Sequence, residues 1–430
     1  HQALALKQAR YGENSSELAS TLNSLGVLAF SRNQYDTARV YLERALTIER
    51  SAYGDRHPEV GARLLNLGQL HSRLGNYSRS DSLYAEAIDI WQAAYGSQNR
   101  WLADAWERRA VSLRRRGDLE TAWTLLQKAY DIRLALFTEN ARVLSEPDAL
   151  AYSTFLQHTT ELLLSTWHDL PRTPERDGVA ARVVFSSKGK VWDELVSRVG
   201  VWQQSADSVS MALAEEVRNT RWQLARAYVA GPGVSQDTYR LTLDSLDRTI
   251  EDIESRLAER NADYRSLLAT AQPSVEDVLA RIPEHTVLLD YFRYNYWPPD
   301  AAEPVSRYIC VAANDRTVRT FGLGPAKDID AVVGQYRDHF AAVAALGTPV
   351  TGDRETYRAI SARLYRLVLA PALTDVGAGS DLWLAPDGPL CLVAWAGLVS
   401  SEQDSTYLLE SRDITYLGSG RDLLRPASTV

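Results

Sequence analysis

The sequence predicts an α+β multidomain protein: a helical-repeat solenoid, a helical bridge with a long antiparallel hairpin, then an α/β region. Three observations carry this. Positions recur at a 42-residue interval through the first third. A seam of 3.5-residue spacing runs through the middle. After Pro273 the apolar pattern turns strand-like. At 430 residues the chain exceeds what one core organises, so several domains are expected: 1–140, 141–272 and 273–430.

The repeat is visible in five columns. Tyr11-Gly12, Tyr53-Gly54 and Tyr95-Gly96 share the 42-residue interval, as do Ala3, Ala45, Ala87 and Ala129. Gly26, Gly68 and Ala110 form a third column; Tyr35, Tyr77 and Leu119 a fourth; Ala38, Ser80 and Ala122 a fifth. Small residues sit where paired helices must cross closely, and large apolar ones fill the gaps. "LNSLGVLAFSRNQYDTARVYLERAL" reads as a helix, a turn at Arg32–Gln34 and a second helix. A leading half-unit at 3–12 lacks its partner helix, so the N-terminus reads as trimmed.

The bridge opens at Pro147, a helix-start residue. Helices are expected over 148–170 and 177–204, followed by a hairpin around "AGPGVSQD". Its second arm carries Tyr239, Leu243, Leu246, Ile250, Ile253 and Leu257, continued by Tyr264 and Leu268; the first arm offers Leu213, Val217, Leu224 and Tyr228. "SSKGKVWDEL" lacks the glycine and lysine spacing that wraps a phosphate, so no nucleotide loop is assigned.

In the last region, "TVLLDYFRYN", "RYICVAA" and "TVRTFGLG" read as strands, the latter two joined by a hairpin at "AND". Helices over 325–345 and 353–370 follow. "DLWLAPDGPLCLVAWAGLV" reads as two apolar strands joined by a Pro-Asp-Gly-Pro hairpin turn. Cys310 and Cys391 both lie in apolar surroundings and are expected to be buried core residues.

Composition excludes several classes. The net charge of −8 disfavours direct nucleic-acid binding, which needs clustered cations. Two cysteines 81 residues apart offer no disulfide framework or zinc spacing, which fits a cytoplasmic protein without cofactor or metal. No apolar run is long enough for a bilayer.

The 42-residue unit resembles the tetratricopeptide repeat, in the longer form found in kinesin light chains; "AYGDRHPEV" is similar to that form's inter-repeat loop. The resemblance implies a concave groove that holds a protein or peptide, with first-helix asparagines on its backbone. Asn23, Asn66 and Arg108 are the candidate contacts. "VLLDYFRYN", "LYRLVLAPAL", "LWLAPDGPLCLVAWAGL" and "YLLESRDITYLGSGRDLL" together resemble the N-terminal part of the CHAT domain, a caspase-like α/β fold. That family implies a cysteine endopeptidase with a His–Cys dyad carried in "ATHG"-like and "SACETG"-like blocks. Neither block occurs in these 430 residues, so no catalytic residue is assigned.

The expectation is a sensor and non-catalytic portion of such a peptidase, in bacterial (including antiviral) defence or regulated proteolysis. Its implied partners are a regulator in the groove, the catalytic half of the CHAT domain and an effector-protein substrate. The alternative is a non-enzymatic binding scaffold with a degenerate docking domain. A His-Gly block followed by an Ala-Cys block beyond Val430 would separate the two.

Overall fold

The computed structural model describes residues 15–141, 146–188, 208–230, 236–260, 274–301, 303–346, 351–376, 381–401 and 406–424, together with residues 6, 8, 10 and 12. Most of the leading half-unit, the centre of the hairpin turn, Tyr264, Leu268 and the "GKVWDEL" stretch lie outside the described residues.

The chain divides into two compact units. The first holds residues 1–159 and 213–254; the second holds 160–212 and 255–430. Residues 141–272, expected as one bridge, are thereby shared out between the two.

In the first unit, six helices form three pairs: α1 (Ser16–Ser31) with α2 (Tyr35–Tyr53), α3 (Pro58–Arg73) with α4 (Tyr77–Tyr95), and α5 (Arg100–Arg116) with α6 (Leu119–Ala141). Helix α7 (Glu146–Asp169) begins here and continues into the second unit. The 42-residue columns have physical causes. A Cβ on Gly26 would lie 2.7 Å from Cγ of Leu42, and one on Gly68 would lie 2.7 Å from the Tyr84 ring. Each glycine therefore lets its partner helix press its backbone closely. The Tyr-Gly column ends each second helix with a residue at positive φ, +83° at Gly54 and +77° at Gly96.

Each first helix is also capped by an acceptor at one 42-residue interval. Ser15 accepts from the backbone N–H of Leu18, His57 from Glu59, and Asn99 from Leu102. His57 is thus a helix cap.

The hairpin arms are α9 (Ser208–Ala230) and α10 (Gln236–Arg260). Leu213, Val217, Leu224, Leu243 and Ile253 are buried, and an Arg221–Glu254 ion pair ties one arm to the other. Tyr239 meets Tyr95 of α4 edge-on at 5.9 Å between ring centroids, so the hairpin packs on the repeats.

The second unit is built on a five-stranded mixed sheet, ordered β3-β2-β1-β4-β5. Strands β1 (Thr286–Tyr296), β2 (Val305–Ala313) and β3 (Val318–Pro325) are antiparallel neighbours. Strands β4 (Asp381–Ala385) and β5 (Ile414–Tyr416) join in parallel, β4 on β1 and β5 on β4. Side-chain alternation separates the two faces. Val287, Leu289, Tyr291, Tyr308 and Cys310 pack in one core with α12 (Ala326–Leu346), α13 (Thr351–Val368) and α14 (Ala370–Val376), after the short α11 (Val275–Leu279). On the opposite face, α8 (Pro174–Ser187) lies against β3, with the Thr320 hydroxyl donating to Asp177.

The expected Pro-Asp-Gly-Pro hairpin does not form. Residues 388–392 and 395–397 are short 3-10 turns. The cause lies in the sheet: β4 is already paired on both edges, so no edge is left for an antiparallel return. Asp387 caps the first turn instead, accepting from the N–H of Gly388 at 2.9 Å and of Arg293 at 2.7 Å. Leu390, Val393, Trp395 and Leu398 still reach the core. Cys391 does not: it is exposed, which corrects the expectation of a buried thiol, whereas Cys310 is fully buried.

Candidate functional site

Helices α1, α3 and α5 lie side by side as the first helices of successive pairs. Their capping column starts all three at equivalent positions, and this brings polar side chains of neighbouring helices into contact. Asn66 Nδ2 donates to Asn23 Oδ1 at 2.8 Å, and Arg108 Nη1 donates to Gln69 Oε1 at 2.6 Å. Asn66 and Gln69 are three residues apart and share one face of α3. The candidate residues Asn23, Asn66 and Arg108 thus belong to one polar line crossing three helices, and Gln69 is the member the sequence reading missed. Its column, Val27, Gln69 and Val111, is not polar in the other repeats, so the period gave no hint.

All four side chains are only partly buried. A carboxamide offers two donors and two acceptor lone pairs, so each pairing leaves capacity for a further partner. One turn before Arg108 on α5, Asp104 extends the line. Its Oδ1 accepts from Arg133 Nη2 of α6 at 2.6 Å, and partial burial raises its carboxyl above the ordinary carboxylate range. Arg133 also reaches Glu107 at 3.3 Å.

A second polar cluster lies in the sheet unit, at the last parallel pair of β1 and β4, where Asp290 stands opposite Ala385. Asp290 is completely buried. Lys188 Nζ donates to Asp290 Oδ1 at 2.8 Å and to the Ala385 carbonyl at 2.6 Å. The backbone N–H of Gly420 and the hydroxyl of Ser419 donate to Asp290 Oδ2 at 2.7 and 3.2 Å. Arg421 Nη2 closes the circuit by donating to the Lys188 carbonyl at 2.9 Å. A Cβ on Gly420 would lie 2.7 Å from Phe185 and 2.9 Å from Leu288, so only glycine admits this approach. Burial raises the Asp290 carboxyl, opposed chiefly by Lys188. The cluster holds four distant segments together around a carboxylate with no exposed surface.

A cysteine nucleophile requires the thiolate, and both thiols are shifted away from it. Burial pushes the Cys310 thiol far up. Cys391 is raised by partial burial and by the Asp387 carboxylate, despite the opposing charge of Lys188. Among the described residues no hydrogen bond joins either thiol to a histidine, and no group of three acidic, histidine or cysteine side chains could hold a metal ion. No helix among them is long and apolar enough to cross a membrane.

Comparison with known families agrees with this architecture. Residues 17–90 and 62–135 match the tetratricopeptide repeat, and residues 358–429 match the CHAT domain. The N-terminal third of the chain therefore consists of tetratricopeptide repeats, the stacked helical pairs described above. The chain also carries CHAT-domain sequence close to its C-terminal end. The CHAT match contains β4 and β5, whereas β1, on which β4 pairs, precedes it. No curated protein matches the chain.

Proposed function

We propose that the chain is the regulator-binding and non-catalytic portion of a CHAT-type cysteine endopeptidase, acting in bacterial defence, including antiviral defence, or in regulated proteolysis. The repeats hold an extended segment of a protein partner along the line from Asn23 to Arg108. The catalytic half of the same CHAT domain supplies the His–Cys dyad, and an effector protein is the substrate. Residues 1–140 act as the receptor, 141–272 as the bridge and 273–430 as support for the catalytic half.

The observation that carries this is the cross-helix contact of Asn23 with Asn66 and of Gln69 with Arg108. Isolated surface amides have no reason to line up over three helices, whereas a peptide backbone presents donors and acceptors in a row that such a line matches. The thiol environments support the non-catalytic part, since burial and a nearby carboxylate push each thiol away from the reactive thiolate.

A test uses an array of immobilised 15-residue peptides probed with the whole chain. A variant carrying Asn23→Ala, Asn66→Ala and Arg108→Ala is expected to keep its thermal midpoint within a few degrees and to lose the array signals of the wild type. Unchanged signals would move the binding surface elsewhere.

A further inference from the structure

The polar line ends at a cavity of about 220 Å³ between α5, α6 and α7. Leu136, Leu156 and Arg133 are buried in its lining, while Trp101 is partly exposed and Phe155 is 57% exposed. Phe155 thus presents exposed aromatic surface beside the hollow.

The charges decide what can enter. Arg133 is neutralised by Asp104 and Glu107. Its guanidinium lies 5.7 Å from the Phe155 ring centroid, and that of Arg100 lies 4.1 Å from the Trp101 ring. Both aromatic walls therefore already carry a cation. An incoming lysine or arginine would have to compete with these two guanidiniums for the ring faces. An incoming carboxylate would meet Asp104 and Glu107 and lose its hydration among leucines. An uncharged ring meets neither penalty. It can pack on Leu136, Leu156 and the edges of Trp101 and Phe155. Of the two Asp104 oxygens, Arg133 donates to Oδ1, while Arg133 Nη1 donates to the Phe155 carbonyl, so Oδ2 can accept from a phenol hydroxyl.

The geometry points to this cavity as an anchor pocket for an aromatic side chain, tyrosine ahead of phenylalanine, of a peptide lying in the repeat groove. The peptide context rests on the function proposed above; the pocket's preference for a neutral ring rests on its own lining.

The test titrates the whole chain, labelled with 5-fluorotryptophan, with N-acetyl-tyrosinamide, N-acetyl-phenylalaninamide and N-acetyl-argininamide. Binding is followed by the fluorine resonance of Trp101, assigned by its loss in Trp101→Phe. Saturable shifts are expected with both aromatic amides and none with argininamide. Tyrosinamide should bind roughly two- to tenfold tighter than phenylalaninamide, the range given by one neutral hydrogen bond. Phe155→Ala removes an exposed ring, so the fold should survive, and it should weaken both aromatic amides by roughly threefold or more. Argininamide binding as tightly as tyrosinamide, no saturable shift with either aromatic amide, or an unaltered titration in folded Phe155→Ala would each overturn the assignment. The double variant Asn23→Ala, Asn66→Ala should titrate like the wild type. Pocket and polar line are thus tested apart: failure of the amides leaves the array result standing, and loss of array binding leaves the amide result standing.

Discussion

Two buried ion pairs, one in each unit, show how differently the units hold themselves together. In the repeats, Arg63 donates to Glu49 Oε1 through Nε and Nη2 at 2.9 and 2.7 Å, across a sequence separation of only 14 residues. The pair joins a second helix to the first helix of the next unit, and both partners belong to the local neighbourhood that the 42-residue period creates. In the sheet unit, Lys188 and Asp290 are 102 residues apart, and the same cluster recruits Ala385 and Ser419–Arg421. A stacked array gains its stability from neighbours. The sheet unit depends on non-local junctions of this kind, and its parallel strands need long crossovers before they can pair. Damage should therefore stay local in the first unit and spread in the second.

The largest effect is expected from Lys188→Met. It leaves the Asp290 carboxylate buried without its cation, a defect of about 3–5 kcal/mol. Hydrogen exchange should rise together in β1, β4, β5 and residues 419–421, since all share the junction. The pH dependence follows from the direction of the shift. Burial raises the Asp290 carboxyl, and removing Lys188 raises it further. A group held above its unfolded value contributes full stability below the ordinary carboxylate range and loses it as pH rises toward the folded value. The cost of Lys188→Met should thus be smallest in acid and grow as pH rises above 4, measured by urea unfolding. A cost independent of pH would contradict this origin.

Arg63→Met should cost less, about 2–3 kcal/mol, with faster exchange confined to α2 and α3. Because the pair is local, replacing both partners, Glu49→Leu with Arg63→Met, should restore most of the loss. Gly68→Ala is expected to cost about 1–3 kcal/mol by pressing a methyl group into Tyr84. Ala110→Gly, at the same column one repeat later, should cost only about 1 kcal/mol, as a helix glycine does. If Gly68→Ala were neutral, the close crossing would not explain the column.

The smallest effect belongs to Cys391. Cys391→Ser should change stability by no more than about 0.5 kcal/mol, because the side chain is exposed. Mass spectrometry after iodoacetamide treatment of the folded chain should find Cys391 modified well before Cys310. Casein incubated with the chain should stay intact, with or without Cys391. Cleavage that disappears in Cys391→Ala would make this thiol a nucleophile after all.

The same contrast explains how much was legible from residues alone. The helical pairs, the first three strands and helices α12 and α13 follow from period and pattern, because local spacing dictates them. Two columns of the repeat went unread although the period contained them. One is the capping set Ser15, His57 and Asn99. The other is Asn33, Gly75 and Gly117, all at positive φ in the turns inside each pair. The apolar run after Pro386 was misread because an apolar run of that length fits a strand or a packed turn equally well. Which one forms depends on β5, whose pairing with β4 cannot be foreseen from spacing. Asp290 did leave a signal, a charge inside "VLLDYF", but nothing local names Lys188 as its partner. Among the site residues, Asn66 and Arg108 could be picked out because the 42-residue period aligns them, and Asn23 because it lies one residue from the same column. Gln69 and the cavity at Trp101 and Phe155 could not, since they occupy positions that the other repeats do not share.

The central claim is that a protein segment lies along the first helices of the repeats. The most direct measurement is amide hydrogen exchange of the whole chain, with and without the strongest peptide from the array. The account predicts slowed exchange in α1, α3 and α5 around Asn23, Asn66 and Arg108, abolished by the triple alanine variant, with the sheet unit unchanged. Protection confined to residues 273–424, or protection of the repeats that survives the triple substitution, would contradict it.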